Sequence, residues 1–306
     1  MSEFFSRFGL LCAAAMLITL LVAGIWHRRQ GVDYGVWVRL CVLGIPLAWL
    51  GARLAYCLVN IPYYVVSVEN PALMLRFLDG GFSLFGAMGG MALAAFLTAK
   101  WQRVSAAVLL DGIALGASVG IIVERLAQDG TSIGWGRYIQ SAWLQPIGVT
   151  ENLWHPVYLY QAAAMAILLL ILLAWLCSRK GQLADGDLTL VFITLYGCAE
   201  VVLESFCKDG HMTVRDGLVH INQIIAIVLP VIALTIWSVR AARKGTKKSQ
   251  IIIVWLITVA CIGIGIKQEF AVDRNNNLYR DYSIMAAAVT VIAGATLFIR
   301  HKAEST

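Results

Sequence analysis

The sequence predicts an all-α fold, a polytopic membrane helix bundle with about nine transmembrane helices. Three observations point there. Hydrophobic residues make up 59% of the 306-residue chain, with a mean hydropathy of +0.76. Charged residues make up 14%, against about 25% in soluble domains. The apolar residues also gather into runs of roughly 20, the length that lets an α-helix cross the hydrocarbon layer. The formal net charge of +6 fits basic loops at one membrane face. A nucleic-acid partner is not expected, because no long basic run interleaved with aromatics lies outside the 240–248 loop. The seven cysteines lie mostly inside apolar runs, without CxxC or metal spacing. They read as small buried hydrophobes rather than metal ligands.

The spans follow in order. The first run, 8–26, lacks a positively charged leader with a clean cleavage site, so a spanning helix is expected rather than a signal peptide. The second, 37–59, contains Arg53. The third and fourth, 82–99 and 105–124, are rich in Gly and Ala, which suits close helix–helix packing in lipid. Gly80–Gly90 holds five glycines and is expected to be partly irregular, covered there by protein or water. The fifth run, 157–177, follows His155-Pro156, and proline suits the start of a helix. The sixth, 187–206, carries Glu200 and Glu204, and the seventh, 219–239, carries Asn222 and Gln223. The runs 250–267 and 282–299 complete the nine.

Loop charge sets the direction. With the N-terminus outside, 14 of the 24 Lys and Arg fall in inside segments, nine fall in outside segments, and Arg53 lies in a span. An N-out, C-in arrangement follows, with the 240–248 loop as its main signal. It brings Arg53, Ser83, Arg125, His155, Glu204 and Gln223 toward one layer near the outer interface. An ionisable residue at a helix end is costly unless it has a partner or a task. Arg125 and Arg137 flank a loop with glycines and Trp135. The guanidinium fork binds phosphate bidentately and stays charged, so this loop suits an anionic phospholipid headgroup. Trp135, Tyr138, Trp143 and Trp154 in the same outer segment read as interfacial anchors.

Several motifs now resemble the prolipoprotein diacylglyceryl transferase family. Arg125, Gly136 and Arg137 keep the spacing of its G-R-x-G-N-F-x-N-x-E-x-x-G-R signature. His155-Pro156-Val157-Tyr158-Leu159-Tyr160-Gln161 is similar to its H-P-S-Q-L-Y-E segment. Gly51-Ala52-Arg53-Leu54-Ala55-Tyr56 resembles G-x-R-x-x-Y, Tyr196 to Glu204 resembles Y-G-x-x-R-x-x-x-E, and Asn222-Gln223 resembles a late G-Q. The likeness runs over roughly residues 1–240 and implies a seven-helix membrane domain there. Residues 241–306 would add two helices without counterpart. Departures fall at five positions. Phe85 stands where the family has His, Phe8 where it has Tyr, Gln128 where it has Asn, Ile133 where it has Glu, and Glu200 where it has Arg.

The resemblance implies a bacterial plasma-membrane enzyme. Such an enzyme moves a diacylglyceryl group from phosphatidylglycerol to the lipobox cysteine thiol of a prolipoprotein signal peptide. No cofactor or metal is implied. Transfer to sulfur needs a stabilised phosphate leaving group and a thiolate, since the thiol itself is a poor nucleophile. Arg125 is the first choice for the phosphate, then Arg137 and Arg53. The base would be His155 or Glu204, so Arg125, His155 and Glu204 form the expected catalytic set. The expected lipid-binding set is Arg125, Arg137, Arg53, Gln128, Ser83, Gly136, Tyr160 and Gln223. Two alternatives stand beside it. Phe85, Phe8 and Glu200 suit a lipid-binding relative without the chemistry. A transporter is the other, though neither an inverted repeat nor a midplane charge pair is evident.

Overall fold

A computed structural model describes residues 2–77, 80–131, 133–139, 145, 147–149, 153–179, 183–207, 212–214, 219–272 and 278–304. Among these residues nine helices are long and apolar enough to cross a membrane, as the hydropathy pattern predicts. They are α1 (Ser2–Arg29), α2 (Tyr34–Val59), α3 (Leu84–Gln102), α4 (Ala106–Ala127), α5 (Val157–Ser178), α6 (Asp187–Phe206), α7 (Ile221–Arg243), α8 (Lys248–Val272) and α9 (Leu278–Glu304). Four short strands sit between helices: β1 (Trp135–Tyr138), β2 (Trp154–Pro156), β3 (Thr213–Val214) and β4 (Val219–His220). The seventh span therefore starts at Ile221, because Val219 and His220 pair with β3 instead.

The chain forms two compact units, Met1–Thr189 with Lys208–Ile221, and Leu190–Cys207 with Asn222–Thr306. The division runs through α6. In the first unit, small residues let backbones meet. Gly112, Gly116 and Gly120 recur every four residues along α4 and face His27, Thr19 and Ala15 of α1. Gly86 and Gly90 of α3 meet Gly51, Leu47 and Ala48 of α2. Lipid gives no hydrophobic drive between helices, so such close approach carries much of the association. Asp111 of α4 holds the start of α6. Its carboxylate accepts from the amides of Gly186 (2.7 Å) and Thr189 (2.8 Å) and from the Thr189 hydroxyl (2.7 Å). These are donors that a helix start leaves open.

The glycine-rich entry to α3 is irregular, as expected. Gly80 and Gly81 have φ of 79° and 74°, the left-handed region that glycine reaches without Cβ strain. Regular helix begins only at Leu84, where Ser83 is the N-cap and its Oγ accepts from the Gly86 amide at 3.3 Å.

In the second unit, Gly197 of α6 admits Ala226 and Pro230 of α7. Trp255 Nε1 of α8 donates to Ser238 Oγ of α7 at 3.2 Å. Tyr282 of α9 donates its hydroxyl to the Ser205 carbonyl at 3.0 Å. Its ring stacks on Phe206 with centroids 3.8 Å apart.

The two neighbouring glycines of α3 should behave oppositely. A Cβ on Gly90 would overlap the Leu47 carbonyl oxygen, whereas a Cβ on Gly89 meets nothing within 4 Å. Gly90→Ala should lower stability by about 1–3 kcal/mol. Gly89→Ala should leave it unchanged or raise it by up to about 1 kcal/mol through helix propensity. Thermal unfolding of the two variants in one detergent compares them directly.

Candidate active site

The expected residues form two groups, one in each unit. In the first unit the segment after α4 is folded by local polar contacts. Arg125 lies in the last turn of α4, half-buried, with its Nε 3.6 Å from a carboxylate oxygen of Glu124. Gln128 caps the C-terminus of α4, is 2% exposed, and donates to Glu124 Oε1 at 2.9 Å. Glu124 thus touches both Arg125 and Gln128, a role the sequence reading missed. The i,i+4 spacing of Glu124 and Gln128 was the available signal. Asp129 accepts from the Tyr158 hydroxyl at 2.8 Å. Gly134, at φ 74°, accepts from the Tyr158 amide at 3.1 Å.

The hairpin beyond this turn sets Arg137 against His155. Strand β1 pairs antiparallel with β2, with Trp135 opposite Pro156 and Tyr138 opposite Trp154. Gly136 and Arg137 therefore share the single partner position of His155. This is a bulge, and bulges re-aim side chains beside functional sites. Gly136 is buried, Arg137 is half-buried and His155 is 2% exposed. His155 Nδ1 lies 3.0 Å from the Tyr160 hydroxyl, a hydrogen bond whose direction the imidazole tautomer sets. Burial pushes the His155 imidazole below its ordinary pKa, so the neutral ring is favoured. Of the loop aromatics, Tyr138 is exposed and Trp135 and Trp154 are half-buried, while Trp143 lies outside the described residues.

Arg53 and Ser83 have other engagements in this conformation. Arg53 is 2% exposed. Its Nε donates to the Met74 carbonyl (3.1 Å), and Nη1 donates to the Gly80 and Gly81 carbonyls. Its Nη2 donates to the carbonyls of Leu73 (3.0 Å) and Arg76 (2.9 Å). All five guanidinium donors are thus directed at one segment, 73–81, and the cation also lies over the Phe77 ring at 5.9 Å. Ser83 is 3% exposed and serves as the α3 cap described above. Both were expected among lipid contacts, and both are placed here as supports of the connection that leads into α3.

The second unit holds Glu200, Glu204, Asn222 and Gln223. Glu200 and Glu204 are 2% and 7% exposed. Glu204 Oε1 accepts from Asn222 Nδ2 at 2.9 Å. Gln223 Nε2 donates to the Val201 carbonyl at 2.9 Å and to Glu269 Oε2 at 2.7 Å. Glu269 is a second residue missed from sequence, because it falls two residues past the expected end of the eighth span.

Among the described residues, nine helices long and apolar enough to cross a membrane, with buried ionisable side chains near the ends of several, define a multi-pass membrane protein. The chain belongs to the prolipoprotein diacylglyceryl transferase family, whose model matches residues 5–239. It is 24% identical over 231 residues to a phosphatidylglycerol–prolipoprotein diacylglyceryl transferase of Clostridioides difficile, covering 72% of this chain and 85% of that one. A Ruegeria pomeroyi enzyme of the same name is 30% identical over 236 residues, covering 69% and 76%. A Rhizobium meliloti enzyme of that name is 29% identical over 248 residues, covering 76% and 87%. The helices α8 and α9 lie beyond the family match.

Two outcomes follow from the first unit. Arg53→Lys has too few donors for the carbonyls it faces. It should cost on the order of 2–3 kcal/mol and open the 73–81 segment to limited proteolysis, which a digest of wild type and variant would compare. For His155, the folded pKa is below the unfolded one, so the unfolded state binds more protons as pH falls. Its stability contribution is constant above about pH 7 and declines as pH drops through about 6.5. Unfolding midpoints measured from pH 8 to 5 should fall less steeply in His155→Gln than in wild type.

Proposed function

We propose that this protein transfers the diacylglyceryl group of phosphatidylglycerol to the cysteine thiol of a prolipoprotein lipobox, at the outer face of a bacterial plasma membrane. The thiolate attacks the diacylglyceryl carbon that carries the phosphate oxygen. A carbon–sulfur bond forms, the carbon–oxygen bond breaks, and glycerol phosphate leaves with the electron pair. The observation that carries this reading is the bulge that sets Arg137 opposite His155, on the loop that leaves Arg125.

Arg125 and Arg137 bind the phosphate and stabilise the charge that grows on it as the bond breaks. His155 takes the thiol proton. Its buried, neutral imidazole can accept it, and Tyr160 holds the ring through Nδ1. Glu204 is held by Asn222 within the second unit, and the proton transfer is assigned to His155 rather than to it. Gln128 and Gly136 shape the arginine loop. Arg53 and Ser83 act by fixing the 73–83 connection. Phe85 removes one titratable group relative to the family pattern, and His155 assumes the proton transfer. The N-out, C-in orientation from loop charge puts this layer on the outer side, where a lipobox thiol arrives.

Purified protein in phosphatidylglycerol nanodiscs, given a labelled lipobox peptide, should yield a peptide heavier by one diacylglyceryl group. Arg125→Ala should lower the rate by about 100-fold or more, with unchanged insertion and unfolding midpoint. A wild-type chain that leaves the peptide mass unchanged beside an active relative would sink the proposal.

A further inference from the structure

We propose that the first unit carries a separate anion site at the end opposite Arg125, which takes the phosphate headgroup of an anionic phospholipid at the other membrane face. A cavity of about 620 Å³ lies there between the α1–α2 and α3–α4 connections. Its lining includes Gln30, Asp33, Arg39, Gln102, Ser105 and Val108. That volume falls in the range of small-ligand sites. Val108 lies in the first turn of α4 and Arg125 in the last. The helix has 22 residues and so is about 30 Å long. One headgroup cannot occupy both places.

The charge around this cavity is unbalanced. Arg39 lines it. Arg28 and Arg29 end α1 beside Gln30, and Lys100 and Arg103 bracket Gln102 at the end of α3. All five cations are exposed. Among the described residues none of them has a carboxylate partner, whereas Arg300 pairs with Glu304. A cleft ringed by one sign of charge concentrates the opposite ion. Asp33 is the acid of the lining, and its Oδ1 accepts from the Gly35 amide at 3.1 Å, so the balance stays positive. Gln30 and Gln102 add neutral amide donors. Ser105 is the N-cap of α4 but makes no side-chain bond to the first turn, so the open amides of that turn add to the positive end.

The rim of the cavity favours a lipid over a soluble phosphate. Tyr34 follows Asp33 and Trp101 precedes Gln102, and they are 73% and 63% exposed. Exposed aromatic rings next to cations mark the headgroup level of a bilayer. Loop charge places this end of the unit on the inner side, where anionic lipids attract Lys and Arg. The site does not depend on the transfer reaction.

Native mass spectrometry of the protein released from mixed vesicles of phosphatidylcholine and phosphatidylserine reads the site without any transfer. The wild type should retain phosphatidylserine over phosphatidylcholine. Arg39→Glu should lower that retention about tenfold, the worth of one hydrogen bond to a charged group. Arg125→Ala should leave the part that depends on Arg39 unchanged, which separates this site from the candidate active site. In phosphatidylcholine alone Arg39→Glu should unfold at the wild-type midpoint, because its side chain is exposed. If that midpoint falls, Lys100→Gln decides instead, with a smaller loss of phosphatidylserine expected. Millimolar inorganic phosphate should not displace the lipid. Displacement with the same Arg39 dependence would identify a soluble phosphate as the ligand and overturn the lipid assignment. Equal retention of the two lipids by the wild type, or retention that neither Arg39→Glu nor Lys100→Gln lowers, would overturn the site itself.

Discussion

Hydrocarbon offers a polar atom no partner, and the placement of polar groups in this chain follows from that one constraint. A backbone in lipid must satisfy itself as helix, so the apolar runs become helices. Several polar side chains near their ends close an open backbone group or stand beside another polar side chain. Asp111 supplies three acceptor contacts to the start of α6. Ser83 does the same for α3, and Arg53 covers five carbonyls of one connection. These residues fix the helix starts and the connection into α3 within the first unit.

The loop after α4 and the first strand pair hold the residues that type and spacing single out. Arg125 ends a helix, Arg137 sits in a strand bulge, and His155 pairs across from it. Placing an arginine on a bulge rather than on a regular strand frees its direction from the alternation of the pleat. Placing the histidine in a buried position keeps it neutral. A cation and a neutral imidazole need different surroundings, and a two-strand ladder provides both within a few residues.

The helices were legible in sequence because a span is long and the hydropathy signal sums over about 20 residues. The ends were less so. The eighth span was expected to stop at 267, yet α8 continues to Val272 and carries Gln268 and Glu269 with it. Polar residues dilute the hydropathy that marks a span, so the polar end turns are the ones such a pattern trims away. The strands were invisible for a related reason: runs of two to four residues carry no periodicity. The motif residues Arg125, Arg137 and His155 could be picked out by type and spacing. The engagement of Arg53 could not, since its partners are carbonyls, which every residue possesses. Glu124 and Glu269 were missed because a carboxylate near a helix end reads as ordinary solvation.

Arg53 has one consequence for biogenesis. Its carbonyl partners lie 20 to 28 residues later in the chain. During synthesis α2 must therefore meet the translocon while its arginine has none of them. Near a helix centre an arginine costs about 2.5–3.5 kcal/mol on the insertion scale. The debt is cancelled only when the 73–81 segment emerges and folds back, with α3 close behind. The polar closure of α2 is thus completed by chain made after it, on the way into α3.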